Sequence, residues 1–133
     1  GYAQGLVKKM ANEFADGCCF VGPFLHKFEI KKDHAYKTIT EYSGTKYIQE
    51  TENLITFDFQ SAIRNELAGL KINEDPRCTF DTADLASRRR DGAESSKIQN
   101  KVVILRVGEK FLTAIFRPKD DHKEFFRNLT LQE

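Results

Sequence analysis

Apolar and polar positions are patterned most clearly near the end of the chain. Val102 to Val107 and Phe111 to Phe116 form two runs rich in β-branched and aromatic residues, separated by Gly108 and Glu109. This predicts an antiparallel hairpin, and glycine at the first central position suits a type II′ turn, whose twist matches that of the flanking strands. Pro118 cannot donate to a strand ladder and is expected to end the second strand. Asp120 or Asp121 then offers a helix N-cap, Glu124 completes a near capping box, and Phe125 and Leu129 fall at i and i+4. A C-terminal helix lying back on the sheet is therefore expected.

From the other end, Ala3, Val7, Met10 and Phe14, with Leu6, share one stripe of a helix over Tyr2 to Ala15, while Lys8, Lys9, Asn12 and Glu13 face away; Gly17 would stop it. Phe24, His26, Phe28 and Ile30 keep one parity within 18–32, which suits a half-buried strand, with Gly22-Pro23 as a bulge or edge start. Tyr36 to Tyr42 alternates loosely, and Ser43-Gly44 reads as a turn into Thr45 to Gln49, making a second hairpin. Two periods overlap between Glu50 and Leu70. Ile55, Phe57 and Phe59 alternate as in a strand, whereas Phe59, Ile63, Leu67 and Leu70 recur at helical spacing, so a strand to about Phe59 and a helix to about Ala68 are expected, with Gly69 closing the helix. Leu70 to Phe80 offers two short strands broken by Glu74-Asp75-Pro76.

These elements give an α+β class: a mostly antiparallel sheet with an N-terminal amphipathic helix, a middle helix and a C-terminal helix packed on the sheet. The length of 133 residues fits one compact domain over 1–133, and the polar stretch at about 82–98 reads as a mobile loop. With 40% hydrophobic and 31% charged residues, wholesale disorder is excluded, and no apolar run is long enough to span a bilayer. Three cysteines, two of them adjacent at Cys18 and Cys19, do not make a disulfide framework. A reducing compartment, the cytoplasm, is the favoured location; the chain begins at Gly1 without Met, so a removed leader and secretion stay open.

The net charge of +1 hides an asymmetry: residues 86–119 hold nine Lys and Arg against three acids, leaving 12 against 17 elsewhere. Arg88, Arg89 and Arg90, with Lys97 and Lys101 at the foot of the hairpin and Arg106 on its first strand, form the candidate binding surface. Guanidiniums suit phosphate or carboxylate through charge-assisted, often bidentate hydrogen bonds. Charge reversal of the three arginines is expected to leave the fold intact if the loop is a binding surface. Nucleic acid is disfavoured by the small total charge and by the lack of a stacking motif on adjacent strands. Phe125 and Phe126 are adjacent on the expected last helix and cannot face the same way, so one is a candidate contact for a partner.

Catalytic, metal and cofactor signals are absent from the sequence. Cys18-Cys19 with His26 and His34 lacks zinc spacing, and no phosphate-loop, dinucleotide, serine-hydrolase or zinc-protease motif occurs. The favoured function is a non-catalytic binding module that recognises another protein, or an anionic ligand such as a phosphoinositide, through the basic loop and hairpin or a groove beside the last helix. An intracellular carrier of a small apolar ligand is the alternative, prompted by the length and eleven phenylalanines, although a closed β-clam conflicts with the helical spacing at Phe59 to Leu70. A small enzyme of unfamiliar type is the third reading.

Overall fold

The two overlapping periods near the middle of the chain resolve into strand and helix in direct succession. In the computed structural model, which describes residues 1–96, 100–108, 110–116 and 130–132, a strand spans Ile55–Asp58 and a helix Phe59–Glu66. Asp58 makes the switch: its carboxylate accepts hydrogen bonds from the Ser61 N–H at 3.1 Å and the Ser61 hydroxyl at 2.8 Å, satisfying an orphan donor of the first helical turn.

In chain order the elements are α1 (Leu6–Glu13), β1 (Cys18–Val21), β2 (Lys27–Ile30), α2 (His34–Ser43), β3 (Ile48–Glu50), β4 (Ile55–Asp58), α3 (Phe59–Glu66), β5 (Lys71–Glu74), α4 (Arg88–Asp91), β6 (Lys101–Val107), β7 (Lys110–Phe116) and β8 (Thr130–Gln132), with 3-10 turns at Tyr2–Gln4 and Gly92–Ser96. The class is α+β. By its internal contacts the chain divides into two compact units, Gly1–Gly17 with Leu25–Lys71, and Cys18–Phe24 with Ile72–Glu133.

The first unit is built on an antiparallel sheet in the order β2-β4-β3. Strand alternation sends Phe28, Ile30, Ile55 and Phe57 to one face, where Ile30, Phe57 and Ala62 are buried and Tyr2, Tyr36, Ile39 and Phe59 pack around them. The opposite face carries Lys27, Glu29, Thr56, Asp58 and Gln49.

Residues 36–42, expected as a strand of a hairpin with 45–49, are helical instead. The Asp33 carboxylate accepts from the Ala35 N–H at 2.9 Å, an N-cap that the reading missed. The hydroxyls of Thr38, Thr40 and Ser43 donate to the carbonyls of His34, Tyr36 and Ile39, so side chains that favour strands are accommodated on a helix whose Tyr36 and Ile39 reach the core. Gly44 ends it at φ 65°, a conformation costly for other residues. The N-terminal stripe also needs correction. Leu6, Met10 and Phe14 are 52%, 50% and 60% exposed, while Ala3, Val7 and Ala11 are half-buried, so the covered edge of α1 is the small-residue edge.

Near the end of α2, Tyr42 donates to the Glu66 carboxylate at 2.8 Å and stands edge-on to Tyr2 at 5.0 Å. Burial, then the hydrogen bond to Glu66, pushes the Tyr42 phenol up to about 12, and burial is also the main cause of the upward shift at Tyr2. The neutral phenol is the form the fold favours. Its contribution is therefore complete below the ordinary phenol range and is lost as pH rises from about 10 through about 12. We expect Tyr42→Phe to flatten the alkaline loss of stability over that window and to remove the latest-titrating phenolate absorbance; an unchanged alkaline profile would refute the coupling.

In the second unit β1 and β5 run parallel: Asp75 N–H donates to the Val21 carbonyl, and the same sequence offset recurs in the parallel bridge between Phe24 and Cys78. The 74–76 break is held by Asp75, whose buried carboxylate takes the Arg77 N–H at 3.0 Å and the Arg77 guanidinium at 2.7–3.2 Å. The expected hairpin forms, with β6 pairing to β7 from Lys101↔Phe116 to Val107↔Lys110. Gly108 turns it at φ 64°, as a primed turn requires. A third strand joins it, β8 pairing Thr130 to Gln132 with Thr113 to Phe111. The expected C-terminal helix and its Phe125 and Phe126 lie outside the described residues.

Candidate functional site

The basic stretch is organised by one of its own arginines. Ser87 caps α4 by accepting from the Arg90 N–H at 3.4 Å, and the Arg90 side chain turns back over the segment before it. Its Nη1 donates to the carbonyls of Thr79, Phe80 and Thr82 at 3.0, 3.1 and 2.9 Å; its Nη2 donates to the Leu85 carbonyl and, at 3.0 Å, to Asp91; its Nε reaches Asp91 at 2.9 Å. Asp91 in turn accepts from the Ser87 N–H at 2.9 Å. The Asn100 side-chain amide closes the arrangement with two bonds to the Ala86 backbone, at 2.8 and 3.0 Å, and Leu85, Ala86 and Ser87 are buried beneath. Residues 82–96, expected to form a loop, thus contain a short helix, a 3-10 turn and buried positions.

The three arginines consequently differ. Arg90 is committed to the backbone it gathers, so reversing its charge is expected to disturb that segment. Arg88 and Arg89 are exposed; the Arg88 guanidinium makes a 3.3 Å bond to the Gly92 carbonyl. Successive residues of a helical turn do not face each other, so Arg88 and Arg89 present two separately directed guanidiniums. They suit a partner with several anionic groups rather than one small anion. Arg106 is exposed on β6, its Nε donating to the Gly108 carbonyl at 2.7 Å and its Nη2 3.9 Å from the Cys18 sulfur. Lys101 starts β6, and Lys97 lies outside the described residues.

A concave site that the sequence reading did not single out lies on the polar face of the first unit. A cavity of about 320 Å³ is lined by Lys27, Lys46, Tyr47, Ile48, Gln49, Thr56, Asp58 and Ser61. Thr56 and Asp58 belong to the central strand, Lys27 to β2 on one side, and 46–49 to the approach to and start of β3 on the other. The Asp58 N–H donates to the Tyr47 carbonyl at 2.8 Å, fixing that wall to the strand. The signal available in sequence was the polar parity of β2 and β4, Lys27 with Thr56 and Asp58. That parity does not bring the three residues together, since pairing of the two strands is a tertiary fact.

Among the described residues no three His, Cys, Asp or Glu side chains gather to hold a metal ion, and no helix is long and apolar enough to cross a membrane. Cys18, Cys19 and Cys78 are half-buried and form no disulfide among the described residues, and burial pushes the Cys19 thiol up, away from the readily ionised state of a nucleophile. Compared with known protein families, curated proteins and solved structures, the chain matches none.

Proposed function

We propose that this chain is a non-catalytic binding module that recognises an anionic partner, first of all a protein bearing acidic or phosphorylated side chains, through the basic surface that starts at Arg88 and Arg89. The observation that carries this reading is the division of labour within the arginine run: Arg90 binds the backbone carbonyls of the turn while its two neighbours are solvent-exposed. A fixed turn lowers the ordering cost of each guanidinium contact, which is where exposed charges otherwise lose most of their gain. Lys97, Lys101 and Arg106 extend the proposed surface along the chain, and Phe125 and Phe126 are proposed to supply its apolar part. Work in a reducing compartment accords with three cysteines that form no disulfide among the described residues. The carrier reading has less support, because among the described residues the sheets hold two, three and three strands and none is a ten-stranded clam.

The test is an amide NMR titration of the full chain with a soluble phosphoinositide head group and with a diphosphorylated acidic peptide, repeated on Arg88→Glu/Arg89→Glu. We expect saturable shifts over 88–96 and 101–107, an affinity loss of roughly tenfold or more in the variant, and an unchanged melting temperature. Failure of both probes to move those amides would remove the reading, and widespread shifts of buried amides by a long-chain fatty acid would favour the carrier.

A further inference from the structure

The cavity on the first unit has a composition that selects a ligand class different from the one suited to the arginine turn. Two lysines border it, and among the described residues neither Lys27 nor Lys46 has a carboxylate within ion-pair distance. The Lys46 ammonium stands over the Tyr47 ring, 5.4 Å from its centroid, which biases a flexible side chain toward the Tyr47 wall. Thr56 adds a hydroxyl, and Gln49, paired with Thr56 across the strands, adds an amide with two donors. One carboxylate, Asp58, opposes this positive set, but both of its oxygens already accept hydrogen bonds from Ser61, the backbone N–H on one and the hydroxyl on the other. Two ammonium charges against one internally bonded carboxylate leave the cavity net positive, with neutral donors between them.

We propose that this cleft binds the phosphate group of a small phosphorylated metabolite, with Lys27 and Lys46 taking the charge from opposite sides and Thr56 and Gln49 donating to the oxygens. Two lysines lining one concave site suit one compact dianion, whereas the arginine turn is an exposed surface. A cavity of about 320 Å³ is at the lower end of small-ligand sites and leaves room beyond a phosphate for a polar body of sugar size. Asp58, lined up across the strands with Lys27, would then accept from a hydroxyl of that body.

The experiment is an amide NMR titration of the full chain at constant ionic strength with inorganic phosphate, with glucose 6-phosphate and with glucose, chloride being the balancing anion. Phosphate and glucose 6-phosphate are expected to give saturable shifts at Gln49, Thr56, Asp58 and Ser61 and to compete for them, while glucose moves none. In Lys27→Gln/Lys46→Gln, whose substitutions at exposed positions leave the rest of the amide spectrum in place, affinity is expected to fall at least about tenfold. No saturable shift at those four amides up to about 50 mM phosphate, an equal response to glucose, or undiminished affinity in the double variant would each overturn the assignment. The amides of 88–96 report on the arginine turn in the same spectra, so either site can fail without the other.

Discussion

Replacing Phe57 with alanine is expected to lower folding stability by about 3–5 kcal/mol, the range for deleting a large aromatic side chain from a well-packed core. Phe57 is 2% exposed and lies on the central strand of its sheet, so β2 and β3 fix its backbone from both sides. Its ring contacts Phe28 at 5.6 Å, Phe59 at 5.7 Å and Tyr2 at 5.8 Å, and Ala62, also buried, is too small to move into the space. A site whose walls are anchored in three different elements relaxes little, and residual cavity volume is what raises the cost of such deletions. The measurement is urea unfolding followed by tyrosine fluorescence. The chain has no Trp, and Tyr2, Tyr36, Tyr42 and Tyr47 all belong to the first unit, so the signal reports on that unit alone. Phe14→Ala is the control: at 60% exposure its loss should stay within about 0.5 kcal/mol. A Phe57→Ala cost near that of Phe14→Ala would mean that the aromatic cluster is not the core.

What could be read from the sequence, and what could not, follows from the range of the interaction that decides each element. The β6-β7 hairpin was legible because register, turn and strand composition are all local, and Gly108 takes the positive φ of a primed turn. So was the change from strand to helix near Phe59, where the apolar spacing itself changes from two to nearly four. Helix α2 was not, because Tyr36, Thr38, Thr40 and Tyr42 have strand-favouring side chains and the deciding groups are the Asp33 cap and three hydroxyls bonded back to the helix. In α1 the period was right and the buried face was not: periodicity identifies a stripe, but Leu6, Met10 and Phe14 are exposed and only the tertiary arrangement settles which edge is covered. The arginine run was found by composition, which cannot distinguish a guanidinium directed at carbonyls ten residues upstream from one directed at solvent. The cleft required knowing that β2 and β3 flank β4, a pairing with no signature in either strand alone.

Arg90→Lys is expected to loosen the second unit even though it keeps the charge, while Arg88→Glu/Arg89→Glu, which moves the net charge by four, leaves it folded. The reason is geometric. A guanidinium offers five N–H donors in a planar fork, and at Arg90 that fork spans four carbonyls between Thr79 and Leu85 together with both oxygens of Asp91. An ammonium has three donors at one point and cannot bridge the same spread, so several carbonyls around the buried Leu85 lose their partner at once. Asp91 then holds Ser87 with a charge no longer matched by the fork. The effect is best read locally: amide exchange at Leu85 and Asp91, whose N–H groups donate to Thr82 and Ser87 in the same turn, should accelerate by tenfold or more, with a fall in melting temperature of about 5 °C or more. Exchange in Arg88→Glu/Arg89→Glu should match the parent chain. Equal exchange in all three proteins would show that the carbonyls are satisfied without Arg90, and the turn would then lack the fixed frame on which the proposed recognition by its two neighbours depends. Acceleration in Arg90→Lys alone would separate the arginine that builds the surface from those that meet the partner, and would explain why a triple reversal cannot by itself distinguish loss of binding from loss of fold.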